Sequence, residues 1–222
     1  MITVHHLNNS RSQRLLWLLE ELGLGYELKR YERDAKTNLA PAALKKVHPL
    51  GKSPILEADG LALAETGAIF EYVIDQYGEG RLRPSPGSSA HLEYRYWMFA
   101  AEGSYMPPLL IALLINRIET APAPFFVKPV ARRIAKGLRD GYADQALKVH
   151  FDYAEDVLGK SEWLAGGAFS AADIMMSFPF EGFAVRGDLG RYKNIAGFLK
   201  RIHERPAYQS ALDKGGPYSL MK

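Results

Sequence analysis

Three short polar segments of this 222-residue chain hold residue types that bind or activate a small charged molecule. The first is Asn9-Ser10-Arg11-Ser12, which lies between an apolar run and the start of a helical pattern. At a strand-to-helix junction, free backbone N–H groups and the positive end of the helix dipole attract anions. A hydroxyl there adds a hydrogen-bond donor. The alternative, which this loop alone does not exclude, is that its polar residues only cap the helix.

The second and third segments are Ser53-Pro54 and Glu65-Thr66. Pro54 opens an apolar run just after a turn that contains Gly51. This placement indicates an edge position or a cis peptide bond, and it leaves nearby backbone groups open to a ligand. Glu65 and Thr66 stand at a predicted helix start, where a carboxylate, a hydroxyl and unpaired N–H groups occur together. A simple turn and a simple capping pair are the alternatives for these two segments.

Several other kinds of active site are excluded. The chain has no cysteine, so it supplies no disulfide, no thiolate metal site and no catalytic thiol. Gly51-Lys52-Ser53 resembles the end of a phosphate-binding loop, but position 46 is lysine where that motif needs glycine. No Gly-x-Ser-x-Gly elbow occurs. His5 and His6 point to opposite faces of a predicted strand, and the other histidines lack ligand spacing, so we expect no metal site.

The elements that position these segments follow from the apolar periodicity of residues 1–78, which we predict to form one small domain. A strand, a helix and a second strand occupy the stretch from Ile2 to Tyr31, and a crossover of this length joins parallel strands. Asp59-Gly60 between two apolar runs predicts a hairpin, and Gly78 ends the last helix. The order β-α-β-(α)-β-β-α indicates an α/β domain with a mixed sheet.

The remainder of the chain has a different pattern. Residues 79–89 are rich in glycine, proline and serine without periodicity, so we predict a linker there. Residues 90–222 show only helical periodicity and predict an all-α domain. We expect the first long helix to kink or break at Pro107-Pro108. The spacing from Ser170 to Asp173 is that of a capping box and predicts a helix start.

Composition places the chain among ordinary globular proteins. It is 47% hydrophobic and 24% charged, with a formal net charge of +3, which is too mild to indicate nucleic-acid binding. The N-terminus lacks the basic and apolar regions of a signal peptide, and the longest apolar run is far shorter than a membrane span. We expect a cytoplasmic protein that binds neither nucleic acid nor membrane.

Taken together and in this order, these segments resemble a cytosolic-type glutathione S-transferase, in particular the fungal and bacterial branch that begins with HHLNNSRSQR-type residues. The resemblance covers essentially the whole chain. It rests on the segments NNSRSQRLLWLLEELGLGYE, HPLGKSPILEADGLALAET, YWMFAAEGSYMPPLL and FSAADIMMSF.

The resemblance implies a thioredoxin-like N-terminal domain that binds glutathione as co-substrate and an all-α domain that lines the electrophile pocket. It implies that the Ser53 backbone, beside a cis-Pro54, pairs with the cysteinyl part of glutathione. Glu65 and Thr66 resemble the pair that receives the γ-glutamyl group. Lys52 or His48 is expected at the glycyl carboxylate. A homodimer is implied by the resemblance alone.

The catalytic residue is left between two positions. Matching Arg14 to the arginine that often begins the helix in this family places the family's serine at Ser10 in some classes and on Asn9 in others. Ser10 is our prediction, with Asn9 next. For the electrophile pocket we predict Tyr105, Met106, Leu109 and Phe178. The implied activity is transfer of glutathione to small hydrophobic electrophiles in detoxification, with peroxidase activity as a companion. The alternative is a related binding protein with weak or no catalysis.

Overall fold

The computed structural model describes residues 1–185, 187, 189–216 and 218. Its first part is a four-stranded sheet with helices, and its second part is helical, as expected for a thioredoxin-like domain followed by an all-α domain. The strands are β1 (Ile2–Leu7), β2 (Tyr26–Tyr31), β3 (Ile55–Ala58) and β4 (Leu61–Ala64). The helices of this part are α1 (Ser12–Glu21) and α2 (Thr66–Tyr77), with a 3-10 turn at Ala42–Lys46.

The sheet is mixed and has the strand order β2-β1-β3-β4. β1 and β2 are parallel, whereas β3 is antiparallel to both of its neighbours. α1 is the crossover between the parallel strands, and its residues Leu15 to Leu19 are buried. This burial follows from the leucine repeat of the segment, which gives α1 an apolar surface that the sheet, α2 and two helices of the second part, Ala171–Ala184 and Pro206–Gly215, cover.

The helical part contains seven α-helices among the described residues. They are α3 (Ser89–Ala100), α4 (Met106–Thr120), α5 (Lys128–Leu138), α6 (Asp144–Leu158), α7 (Ala171–Ala184), α8 (Lys193–His203) and α9 (Pro206–Gly215). Short π-helical segments, Ala101–Tyr105 and Arg139–Ala143, join α3 to α4 and α5 to α6. A 3-10 turn at Leu189–Arg191 precedes α8.

The first long helix is interrupted one turn before the position that the sequence predicted. Pro107 and Pro108 lie in the first turn of α4, and the π segment Ala101–Tyr105 precedes them. A proline has no N–H and its ring crowds the carbonyl four residues earlier, so the helix must widen at Gly103 and Ser104 rather than at the prolines. A π turn adds one residue and thereby rotates the faces of the helix that follow it.

The capping box at α7 is present. The Asp173 carboxylate accepts hydrogen bonds from the Ser170 backbone N–H at 2.8 Å and from the Leu164 N–H at 2.9 Å. Burial raises the pKa of Asp173 to about 6, although these donors act in the opposite direction. α7 is buried along most of its length and forms the centre of the helical core.

The helical stretch 89–120 is long and apolar enough to cross a membrane by length and composition, with a mean hydropathy of 1.5 over its most apolar window. Half of that window is buried inside the protein. Trp97 and Tyr105 of this stretch belong to the main hydrophobic core, so its apolar composition is accounted for in part by packing.

Candidate active site

The register of the sheet brings the three polar segments to one edge. His5 of β1 lies opposite Ile55 of β3, and Ile55 lies opposite Ala64 of β4. β1 and β4 both run antiparallel to β3. The C-terminal ends of β1 and β4 therefore lie at the same edge of the sheet as the N-terminal end of β3. The loop after β1, the Ser53-Pro54 turn before β3 and the Glu65-Thr66 pair after β4 therefore meet there.

Ser10 is buried beside Ser12 where α1 begins. The Ser10 Oγ lies 2.7 Å from the Ser12 Oγ and accepts a 3.2 Å hydrogen bond from the Ser12 backbone N–H. The Ser12 Oγ lies 2.9 Å from His6 Nδ1 and accepts a 3.2 Å hydrogen bond from the Leu7 N–H. These bonds hold the Ser10 side chain at the wall of a cleft.

His6 sets the direction of these hydrogen bonds. Burial lowers the pKa of His6 to about 4, so its ring is neutral at pH 7. Since Nδ1 faces Ser12, the nitrogen that donates to the Gly215 backbone is Nε2, and Nδ1 is left as an acceptor. The Ser12 hydroxyl therefore donates to His6, and the contact between Ser10 and Ser12 requires Ser10 to be the donor. The Ser10 proton therefore points to the Ser12 Oγ and must leave that contact to be donated to a ligand.

Ser53 joins the turn before β3 to the end of β1. Its Oγ donates to the His5 carbonyl at 3.1 Å and accepts from the Leu7 N–H at 3.2 Å. The peptide bond from Ser53 to Pro54 is cis. The ladder between β1 and β3 ends at the pair His5 and Ile55, so the Ser53 backbone lies beyond the paired part of the strand.

A small cleft of about 260 Å³ opens at this edge. Two carboxylates, two cations and the start of α2 surround it. Glu65 precedes α2 with a φ of 72°, a left-handed conformation that is costly for a residue other than glycine. The lining residues are Arg11, Leu50, Lys52, Ser53, Pro54, Ala64, Glu65, Thr66 and Glu102.

A wider cleft of about 800 Å³ lies alongside and shares Arg11, Ser53 and Glu102 with the small one. One wall is formed by α4 and the other by the loops after β1 and β2. Its other lining residues are Asn9, Ser10, Arg33, Asn38, Met106, Pro107, Leu110, Leu113, Asn116, Arg117, Thr120 and Phe178.

Glu102 lies between the clefts and is paired with two arginines. The Arg11 Nε donates to it at 2.9 Å, and the buried Arg14 guanidinium donates at 2.5 Å. Burial would raise the pKa of Glu102, but the charges of Arg14 and Arg11 outweigh it and hold the pKa below its usual value. Both guanidinium groups also lie about 5 Å from the Phe178 ring.

Most of the predicted site residues lie at one of the clefts. Ser10, Asn9, Met106 and Phe178 line the wide cleft, and Ser53 lines both. Pro54, Glu65, Thr66 and Lys52 line the small cleft. His48 lines neither cleft, and its Nδ1 accepts a 3.3 Å hydrogen bond from the Leu50 N–H within its own turn.

The predictions for Tyr105 and Leu109 differ from the structure, which places both side chains in the hydrophobic core and not at the wide cleft. The Tyr105 hydroxyl donates to the His150 carbonyl at 2.6 Å. Aromatic and leucine residues at helical spacing do not reveal which face of a helix meets a cleft, and both of these residues are on the buried face here.

Comparison with known proteins identifies the family. Residues 1–75 match the family described as "Glutathione S-transferase, N-terminal domain", and residues 123–214 match its C-terminal domain. Glutathione S-transferase 1 of Saccharomyces cerevisiae is 36% identical over 226 residues, which cover 96% of this chain and 95% of the yeast protein. The chain belongs to the glutathione S-transferase family.

Other relatives of this transferase agree with that assignment. Glutathione S-transferase 3 of Schizosaccharomyces pombe is 37% identical over 96% of this chain and 88% of its own. The crystal structure of a glutathione S-transferase from Actinobacillus pleuropneumoniae matches with a TM-score of 0.82 and 32% identity, over 100% of this chain and 95% of that one. A sphingomonad glutathione S-transferase complexed with glutathione matches with a TM-score of 0.73 and 25% identity, over 96% of this chain and 98% of its own.

Several residues that line the clefts of this transferase were not predicted from the sequence. Glu102 is the clearest, because a single carboxylate inside an apolar helix needs a buried cationic partner, and the nearby arginines could have been proposed for it. No sequence pattern indicates that Leu50 and Ala64 line the small cleft. The same is true of Arg33 and Asn38, and of the α4 residues Leu110, Leu113, Asn116, Arg117 and Thr120.

Proposed function

We propose that this transferase binds glutathione in the small cleft, stabilises its thiolate with Ser10, and transfers the sulfur to an electrophile in the wide cleft. The observation that carries the proposal is the direction of the hydrogen bonds at Ser10. The Ser10 Oγ accepts from the Ser12 N–H, whereas the Ser12 proton is used by His6. The Ser10 hydroxyl is therefore a donor at the wall of the wide cleft, next in sequence to Arg11, which lines both clefts.

The small cleft has the charges that glutathione requires. The Glu65 carboxylate receives the γ-glutamyl ammonium, while the Thr66 hydroxyl and the N–H groups at the start of α2 receive the neighbouring carboxylate. Lys52 binds the glycyl carboxylate. The Ser53 backbone, which lies beyond the strand ladder and precedes Pro54, pairs with the cysteinyl residue.

The thiol must be ionised to react. An ordinary thiol has a pKa of about 8.5 and is mostly protonated at neutral pH, although only the thiolate attacks. Lowering the pKa by two units takes about 2.7 kcal/mol, which one hydroxyl hydrogen bond and the N-terminus of α1 together can supply. The sulfur then forms a bond to the electrophilic carbon, the leaving group departs with its electron pair, and the thiol proton passes to solvent.

Titration of bound glutathione tests this role. Thiolate absorbance is followed from about pH 5 to 9 for the wild type, Ser10→Ala and Asn9→Ala, with Ser89→Ala on α3 as a control outside the clefts. We expect the bound thiol of the wild type and of Ser89→Ala to titrate well below the free value, and that of Ser10→Ala to move back up. Binding with an unshifted thiol would indicate a binding protein, and a shift lost in Asn9→Ala alone would place the role on Asn9.

The activity we infer is conjugation of electrophiles with an apolar body, in detoxification, since Met106, Leu110, Leu113 and Phe178 give the wide cleft an apolar wall. Peroxidase activity is the companion reaction: two glutathione molecules reduce a hydroperoxide to an alcohol and water and leave as the disulfide. Turnover of cumene hydroperoxide measured beside conjugation, in the wild type and in Ser10→Ala, tests whether both reactions use one thiolate.

We also infer a cytoplasmic homodimer whose chain divides into domains at residues 1–78 and 90–222, with a linker at residues 79–89. An apolar groove of about 660 Å³ lies between α2 and α3, and Phe99 beside it is 73% exposed. An exposed aromatic ring next to such a groove fits a contact with a second copy. Sedimentation of the wild type and of Phe99→Asp tests it, and a monomeric wild type would contradict it.

A further inference from the structure

The far end of the wide cleft is polar and basic, unlike the apolar wall near the proposed thiolate position. Leu110 and Leu113 on α4 and Phe178 on α7 lie along the apolar part. Beyond Leu113 the α4 wall becomes polar, with Asn116, Arg117 and Thr120, whereas Arg33 lies on the loop wall and donates to the Asn9 carbonyl beside Ser10. Such a division fits a molecule with an apolar body and a polar terminus.

Among the described residues, the two arginines Arg33 and Arg117 of this cleft have no carboxylate partner. The Arg33 guanidinium donates to the backbone carbonyls of Asn8, Asn9 and Asn38 at 3.1 to 3.3 Å, and these neutral acceptors leave its charge in place. In the part of the chain that the structure describes, no carboxylate lies within 4 Å of Arg117. Glu102, the single carboxylate of the wide cleft, is already shared by Arg11 and Arg14.

The surroundings of Arg33 make an added anion favourable. Burial lowers the pKa of Arg33, and the charge of Arg11 lowers it further. A guanidinium that is partly removed from water beside a second cation gains more from an anionic partner than a fully solvated one does. Arg117 is exposed on the α4 wall of the same cleft.

The basic end is distant from the site of transfer. Met106 and Arg117 are eleven residues apart on α4, which corresponds to about 16 Å along the helix axis. A compact electrophile at Ser10 and Met106 does not span that distance, so the charge that Arg117 meets must be at the end of an extended molecule.

We propose that the acceptor of this transferase is an extended amphipathic anion, with its reactive carbon at Ser10, its apolar body on the α4 wall and a terminal carboxylate at Arg117. This inference rests on the proposed function, because it names the class of substrate for the same transfer. Arg117 is the residue that sets the preference for charge. Arg33 also holds the Asn9 loop, so replacing it would disturb more than the anion site.

The test uses 4-chloro-3,5-dinitrobenzoyl derivatives of 6-aminohexanoate and of its primary amide, which share a reactive ring and differ only in terminal charge. In each reaction the glutathione sulfur bonds to the ring carbon, chloride leaves with the bonding electrons, and the thiol proton passes to solvent. The measured quantity is the ratio of kcat/KM for the carboxylate to kcat/KM for the amide. The variants are Arg117→Met and, as a matched control, Arg132→Met, an exposed arginine of α5 away from the clefts.

We expect a ratio of about ten for the wild type and for Arg132→Met, falling to about one in Arg117→Met, as for loss of one charge-assisted contact. The corresponding derivatives of glycine and glycinamide should give a smaller ratio, because the shorter carboxylate does not reach the basic end. A wild-type ratio of one, or an unchanged ratio in Arg117→Met, overturns the proposal while conjugation itself stands.

Binding of the finished conjugates separates the two proposals. Equilibrium dialysis of the carboxylate and amide conjugates needs no turnover and should show the same tenfold preference, lost in Arg117→Met. If no derivative is conjugated, the proposed transfer is wrong, and dialysis still decides the anion site. Equal binding of the two conjugates overturns the anion site.

Discussion

Arg11 and Glu102 form an ion pair at the boundary of the two clefts, with the Arg11 Nε 2.9 and 3.0 Å from the two carboxylate oxygens. The same carboxylate is the acidic partner of Arg14, whose side chain is 1% exposed and whose other terminal nitrogen donates to the Met175 carbonyl. One carboxylate therefore joins the α1 end of the site to the helical part and neutralises a buried cation.

Glu102→Gln should lower the free energy of unfolding by about 3 kcal/mol, because it leaves the Arg14 charge buried without a counter-charge. Since the pKa of Glu102 is held below its ordinary value of 4.5, the loss should be full above that pH and shrink as the pH falls further. Urea unfolding measures it. Glu119→Gln, at the half-exposed pair with Arg139, is the control and should cost less than about 1 kcal/mol. Similar losses in both variants would contradict the role of Glu102.

His6→Asn should remove part of the pH dependence of stability. The folded-state pKa of His6 is about 4 and the ordinary value is 6.5, so between these values the unfolded chain binds a proton that the folded chain excludes. The free energy of unfolding of the wild type should rise by about 3 kcal/mol from His6 across that range. Asparagine keeps an acceptor near the Nδ1 position, so Ser12 retains its partner.

The measurement is urea unfolding at pH 4.5 and at pH 7, with His91→Asn as the control histidine. The difference between the two pH values should be smaller in His6→Asn than in the wild type and unchanged in His91→Asn. An equally steep dependence in His6→Asn would show that His6 is not held neutral by burial.

Glu65→Gln should weaken glutathione binding by about 10- to 100-fold, the range for a hydrogen bond to a charged group. The wild type should also discriminate against N-acetylglutathione, which lacks the ammonium, whereas Glu65→Gln should bind both peptides alike. Glu79→Gln is the control, since Glu79 is another exposed glutamate with positive φ, at 51°, and lies outside the clefts. Discrimination that survives in Glu65→Gln would place the ammonium elsewhere.

Tyr105→Phe and Leu110→Ala should give opposite results. Tyr105→Phe removes a buried hydrogen bond to His150 and should lower stability by about 1 kcal/mol without changing kcat/KM. Leu110 is half exposed in the wide cleft, so Leu110→Ala should raise the acceptor KM with little effect on stability. Thermal unfolding and steady-state kinetics measure both. If Tyr105→Phe changed the acceptor KM and Leu110→Ala did not, Tyr105 and not Leu110 would contact the acceptor.

The helices and strands near the candidate site were largely predictable because strong local sequence signals mark where they begin and end. Asp59-Gly60 sets the hairpin, the leucine repeat sets α1, and Gly78 follows α2. The helical part was less predictable in detail. The π segment Ala101–Tyr105 lies one turn before the prolines that cause it, and the π segment Arg139–Ala143 has no sequence signal of its own.

By itself, the sequence determined which residue types the site can use and in what local setting, because capping, turn formation and strand alternation act over a few residues. It placed Ser10, Ser53 and Glu65 at element boundaries and excluded a protein thiol. Tertiary structure alone decided that Glu102 pairs with Arg11 and Arg14, and that Arg33 and Arg117 line one cleft. These pairings join residues tens of positions apart, so they depend on strand register and helix packing, which no local pattern encodes.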